Sequence, residues 1–203
     1  MFLFRKISCH VKERKMIYLF LITFVFIGFL CGCFYTNLVS EAEFSDAGVQ
    51  AEEFIKGAKE NELSFRLMLS EELSSYLLIA LFSLFLPGFL PTIFLVFKRG
   101  FSTGFFLTFL VKYFSAKGFL LSGMFLLCNL LFFLPALLML TNQSLSVNRF
   151  LITSALHKFA AKQTLFSELL GMTITTVGSI LSVTVGVSLK FLLLSPLCHY
   201  LFL

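Results

Sequence analysis

Apolar residues run through this chain in long uninterrupted stretches, and shorter polar segments separate them. Residues 16–34, 73–97, 119–140 and 169–194 form runs of 19, 25, 22 and 26 residues. Each is long enough for a helix to cross a hydrocarbon core of about 30 Å. A further run, residues 100–111, has only 12 residues and reaches about 18 Å as a helix, too short to cross alone. The pattern predicts an all-α, polytopic transmembrane bundle: a single membrane domain with about five crossings, one of them a short broken segment.

The break lies at residues 87–118. Pro87, Gly88 and Pro91 interrupt the second run, the pair Lys98 and Arg99 closes it, and Gly100, Gly104, Lys117 and Gly118 follow. Proline removes a backbone donor and favours a kink, and glycine permits close backbone approach. Irregular backbone at membrane depth persists only where protein or water satisfies its polar groups, so the other segments are expected to pack around this core.

The polar segments differ from one another in charge. Residues 1–15 carry Arg5, Lys6, Lys12, Arg14 and Lys15 against Glu13, which predicts a cytoplasmic N-terminus followed by the first crossing at 16–34. A rival reading is a secretory signal in which Leu30, Cys31, Gly32 and Cys33 imitate a lipoprotein cleavage box; the length of the apolar run speaks against it. Residues 35–72 hold nine acids and three bases and read as extracytoplasmic. Phe44, Ala47, Ala51, Phe54, Ile55 and Ala58 recur there at three- and four-residue intervals, on one side of a helix. That helix either covers its own bundle or docks a partner, with Phe44, Phe54 and Ile55 as the candidate contacts.

Residues 141–168, with Arg149, Lys158 and Lys162, read as a basic interfacial linker before the last crossing at 169–194. His157 stands alone there and is expected to be solvated. Leaving aside Lys190 in the last apolar run, ten basic residues lie inside and five outside if residues 100–114 reach the far side; if they turn back, the division is nine and six across four crossings. The positive-inside rule favours five.

Composition narrows the chemistry. The chain is 58% hydrophobic and 13% charged, about half the charge of an ordinary soluble domain. Its net charge of +5 comes from bases that flank apolar runs, a topology signal and not a nucleic-acid surface. The five cysteines have no metal-ligand spacing, no phosphate-binding loop is present, and no cofactor is expected. No nucleophile is paired with a base, the glutamates at 52–53 and 71–72 read as solvated or boundary acids, and Lys190 reads as an anchor snorkelling to the interface. Crossings without buried charge also speak against an ion-coupled transporter. Ser182 and Gly186 form a small-xxx-small pair for close helix packing in the last run.

The order of segments, and above all Gly88, Pro91, Lys98, Arg99, Gly100, Gly104, Phe105, Phe109, Lys117 and Gly118, resembles the stage II sporulation protein M family of endospore-forming bacteria. The resemblance implies five crossings and a non-enzymatic scaffold in the cell membrane at the sporulation septum. There it would anchor a lytic transglycosylase and an amidase/endopeptidase that remodel peptidoglycan during engulfment of the forespore. The implied partners are membrane lipid and these septal cell-wall hydrolases, with no nucleic acid; self-association stays open. The alternative from the residues alone is a permease or channel subunit whose pathway is the 87–118 hairpin, since discontinuous helices often mark such sites.

Overall fold

A computed structural model describes residues 15–59, 65–156 and 162–201. The described residues are almost entirely helical, as the run pattern predicts: α1 Lys15–Tyr35, α2 Glu41–Lys59, α3 Phe65–Phe82, α4 Phe89–Cys128, a π-helical turn Asn129–Phe133, α5 Leu134–Leu156 and α6 Lys162–Leu201. The basic N-terminal residues 1–14 and the stretch with His157 and Lys158 lie outside the described residues.

Among the described residues, three helical stretches are long and apolar enough to span a membrane: Lys15–Tyr35, Phe89–Ser154 and Phe166–Leu201. The middle one, of 66 residues, is folded back on itself. Ser115 has φ 52° and ψ −125° inside α4, and the Phe106 and Phe125 rings stand 5.2 Å apart. Along a straight helix these residues would be about 28 Å apart. The chain therefore reverses at Ser115, and Gly118 follows so closely on Leu110 that a side chain there would meet the Leu110 carbonyl oxygen.

Ser115 occupies the first central position of a tight reversal, where the positive φ favours glycine. Ser115→Gly is expected to raise the stability of the purified protein by about 1 kcal/mol and Ser115→Val to lower it by a similar amount or more. Unfolding by SDS in mixed micelles reads both.

Contact pairs give the order of the passes. Phe24 meets Phe97 with ring centroids 6.3 Å apart, Tyr35 meets Phe105 at 6.0 Å, and Lys112 Nζ lies 3.5 Å from the Thr36 carbonyl oxygen. Rising numbers pair with rising numbers, so α1 and the first limb of α4 run parallel. Helix α6 runs antiparallel to the second limb and α5, since Gln143 reaches Glu168, Ser179 reaches Ala136, Ser182 reaches Phe132 and Lys190 reaches Asn129.

The α1 and α4 pair is joined through glycine. Gly28 and Gly32 on α1 face Phe97 and Phe101, while Gly100 and Gly104 on α4 face Val25 and Phe29, and at all four a side chain would strike backbone of the other helix. Close approach at Gly100 and Gly104 is legible in the sequence; its partner, a second small-xxx-small step at 28 and 32, emerges only from the packing of the two helices.

The structure moves the broken core. The break is residues 83–88, with a cis Leu86–Pro87 peptide, and Pro91 lies in the first turn of α4, where a missing N–H costs nothing. Lys98 and Arg99 do not close a crossing. They stand within a continuous helical limb of about 26 residues, or roughly 39 Å, ending at the reversal, so residues 100–111 are part of a full-length pass. Charges inside an apolar run predict a boundary, whereas here the Arg99 charge is met by Glu72 of another helix.

Helix α2 begins with a capping box. Ser40 Oγ lies 2.9 Å from a Glu43 carboxylate oxygen and accepts the Glu43 N–H at 3.4 Å, with Glu41 and Glu43 in the first turn complementing the helix dipole. Its apolar side faces inward. Ile55 is buried with Leu107, Leu110, Leu121 and Leu194, and Phe44 packs on Phe109 and Tyr113.

Candidate functional site: a buried ionic cluster

Three charged side chains from three helices meet inside the bundle. Glu72 near the middle of α3 accepts from Arg99 of α4 through one carboxylate oxygen, and from Lys190 Nζ of α6 through the other at 3.1 Å. Lys190 is only 4% exposed, and its ammonium also donates to Asn129 Oδ1 at 3.1 Å. The same ammonium lies 4.1 Å from the Phe133 ring centroid, and the Arg99 guanidinium lies 5.4 Å from it. Aromatic faces and the carboxylate thus share the solvation of two desolvated cations.

The backbone prepares this place. Asn129 opens the π turn, and Pro135, two residues beyond it, brings no N–H for the carbonyl four residues earlier. Carbonyl groups in and just beyond the π turn accept from side chains of neighbouring helices: Tyr76 Oη donates to Phe133 O at 2.9 Å, Ser182 Oγ to Phe132 O at 3.0 Å and Ser179 Oγ to Ala136 O at 3.2 Å. Gly186 lets α6 sit directly against Phe132 and Phe133.

Two cavities of about 320 Å³ each adjoin the cluster and share Arg99, Thr103 and Asn129 in their walls. One is polar, reaching past Glu71, Ser102 and Lys190 to Phe54 of α2. The other is an apolar groove between α1, α4, the π turn and α5, lined by Ile22, Val25, Phe29, Leu126, Leu130 and Leu134, with Arg99 the one charged residue among the described residues that line it.

Below the cluster lies a second polar region. Thr92, Thr141, Asn142, Ser144 and Asn148 are all at most 1% exposed; Thr92 Oγ1 and Ser144 Oγ stand 3.4 Å apart, and Thr141 Oγ1 and Asn148 Oδ1 have no partner among the described residues. Buried polar atoms in this position call for water. Residues 141–148 are therefore interior helix, not interfacial linker, because their small polar side chains pair across helices.

The sequence reading of a chemically quiet interior is overturned at three residues. Lys190 is no interfacial anchor, Glu72 is no solvated boundary acid, and Arg99 closes no crossing; the signal for them was that each charge sits in or at the edge of an apolar run, which marks pairing when several such runs fold together. Of the proposed core residues, Arg99 enters the site and Gly100 lines the groove beside it, while Gly104 fastens α4 to α1. Gly88 and Gly118 are pressed against the preceding backbone at the two reversals. Pro87 and Pro91 shape the break, Lys98 and Lys117 are exposed, and none of these four touches the cluster. Phe44 and Ile55 are spent on α2's own packing, and Phe54 lines the polar cavity. Among the described residues, no three His, Cys, Asp or Glu side chains gather as a metal site.

No protein-family profile, curated protein or solved structure matches the chain.

Proposed function

We propose that the chain is a non-enzymatic membrane scaffold, with five crossings and a cytoplasmic N-terminus, that presents α2 outside the membrane as a platform for septal cell-wall hydrolases. The observation that carries the reading is how α2 is held. Its apolar side is fastened to the bundle, and Tyr113 Oη donates to Glu52 at 3.0 Å. Its opposite side leaves Asp46, Val49, Gln50 and Glu53 exposed at helical spacing. A helix clamped on one side and acidic on the other offers a surface of fixed shape and sign, suited to holding a basic partner surface. The resemblance of residues 87–118 to the sporulation family names the partners: a lytic transglycosylase and an amidase/endopeptidase at the septum.

The experiment is gentle detergent purification of tagged protein from sporulating cells, with identification of co-eluting proteins. Hydrolases are expected with the native chain and at least tenfold less with an Asp46→Lys, Glu53→Lys double variant, which leaves the buried side of α2 untouched. Recovery of hydrolases in equal amounts from both would remove α2 as the platform.

A second reading, a permease or channel subunit, is favoured by the buried Glu72, Arg99 and Lys190 and the polar region beneath them, since ionisable groups inside crossings often serve a pathway. Under it, an ATPase or permease subunit would co-elute in place of hydrolases, and changes at the cluster would alter solute uptake.

A further inference from the structure

We propose that the apolar groove between α1, α4 and the π turn seats a transmembrane helix of a partner protein, and that a carboxylate midway along that helix pairs with Arg99. The inference deepens the scaffold reading and rests on it only in taking the chain as a membrane anchor, not on which enzymes it holds.

The first ground is charge. Within the cluster Arg99 and Lys190 stand against Glu72, which leaves one positive charge in excess. Glu72 is divided between two cations, and Arg99 has more N–H groups than this one carboxylate can engage. An uncompensated cation in a bilayer interior is costly, and an incoming anion relieves that cost.

The second ground is access. Arg99 is the one charged residue among the described residues of the groove, and Thr103 and Asn129 beside it add hydrogen-bonding groups. Ile22, Phe26, Leu126 and Leu130 are each between 42% and 58% exposed along the two sides, an apolar channel open sideways to whatever lies in the membrane. Side chains at three- and four-residue steps of an added helix would fill it.

Depth decides between helix and lipid. Arg99 lies ten residues, about 15 Å, beyond the start of α4, and its neighbour Gly100 packs on Val25 at the middle of α1. Phospholipid phosphates stay at the membrane surface, about 15 Å away in a core of about 30 Å. A carboxylate carried on a crossing helix arrives at mid-depth by its position in that helix.

The test uses the full chain in phosphatidylcholine vesicles with synthetic Leu/Ala transmembrane peptides, fluorescently labelled and flanked by lysines, with either Glu or Gln at the central position. Energy transfer reads binding. The Glu peptide is expected to bind at least tenfold more tightly than the Gln peptide, and Leu130→Trp, which adds bulk at a half-exposed wall, to abolish that preference. Equal affinity for the two peptides overturns the proposal, as does a preference for Glu that survives Leu130→Trp. Retention of phosphatidylglycerol by the native chain and its loss in Leu130→Trp, with no preference between peptides, assigns the groove to lipid and overturns it too. Because the probe is synthetic, a Glu preference stands even if no hydrolase co-purifies; hydrolase capture without that preference leaves α2 as the platform and rejects the groove.

Discussion

Glu72→Ala is expected to lower the stability of the bundle by about 3–5 kcal/mol, the cost of leaving a buried charge without its partner. Glu72 is the single anion between Arg99 and Lys190, so its loss strands two cations at once and sets them to repel each other across the Phe133 ring. Lys190→Met should behave differently. It removes one cation, fills a similar volume with an apolar chain, and leaves Glu72 and Arg99 as a neutral pair, while Asn129 Oδ1 and one Glu72 carboxylate oxygen each lose a donor. The expected change is within about 1–2 kcal/mol of neutral, because replacing a buried charge by a well-packed apolar group often costs little. SDS-induced unfolding in mixed micelles separates the two variants. Equal destabilisation by both would show that Lys190 and Glu72 act as an isolated pair, with Arg99 satisfied by solvent.

Gly104→Leu or Gly32→Leu should abolish accumulation of folded protein, a loss of about 3 kcal/mol or more. At both positions a first side-chain atom already meets backbone of the opposite helix, Phe29 in one case and Phe101 in the other. Backbone cannot rotate away as a side chain can, so α1 and α4 must separate along their length. Gly123 supplies the control. Nothing lies within 4 Å of a side chain built there, and Gly123→Ala is expected to be neutral or to stabilise by up to about 1 kcal/mol through helix propensity. Yield and melting in detergent of the three variants test the contrast. Destabilisation by all three alike would mean that helix continuity, not interhelical contact, is what these glycines serve.

The neighbouring Cys33 thiol, 3.6 Å from the Gly104 carbonyl oxygen, shows how local the sequence signal was. Gly100 and Gly104 could be picked out as a close-packing step because the spacing lies within one segment. That Gly28 and Gly32 answer it, in parallel and from a helix about seventy residues earlier, depends on how two segments are set side by side. The same holds for Phe44 and Ile55. Their helical spacing predicts an apolar side, and the sequence weighs covering the bundle against docking a partner; packing on Phe109 and Leu110 decides for cover.

What the sequence by itself determined is the class of the protein. Long apolar runs require helices that satisfy their own backbone in lipid, and that physics acts within each run, so α1, the acidic α2 and the last pass were legible from residue order alone. The tertiary structure decided where passes end and what charges mean. Lys98 and Arg99 looked like the end of a crossing because a charge inside a single helix has no partner on that helix. Only when α3, α4 and α6 lie together do Glu72, Arg99 and Lys190 come within hydrogen-bonding reach, and only the reversal at Ser115 turns a short apolar run into the end of a full pass. Both are long-range facts, set by which helix lies beside which, and hydropathy along one strand of sequence carries no record of its neighbours.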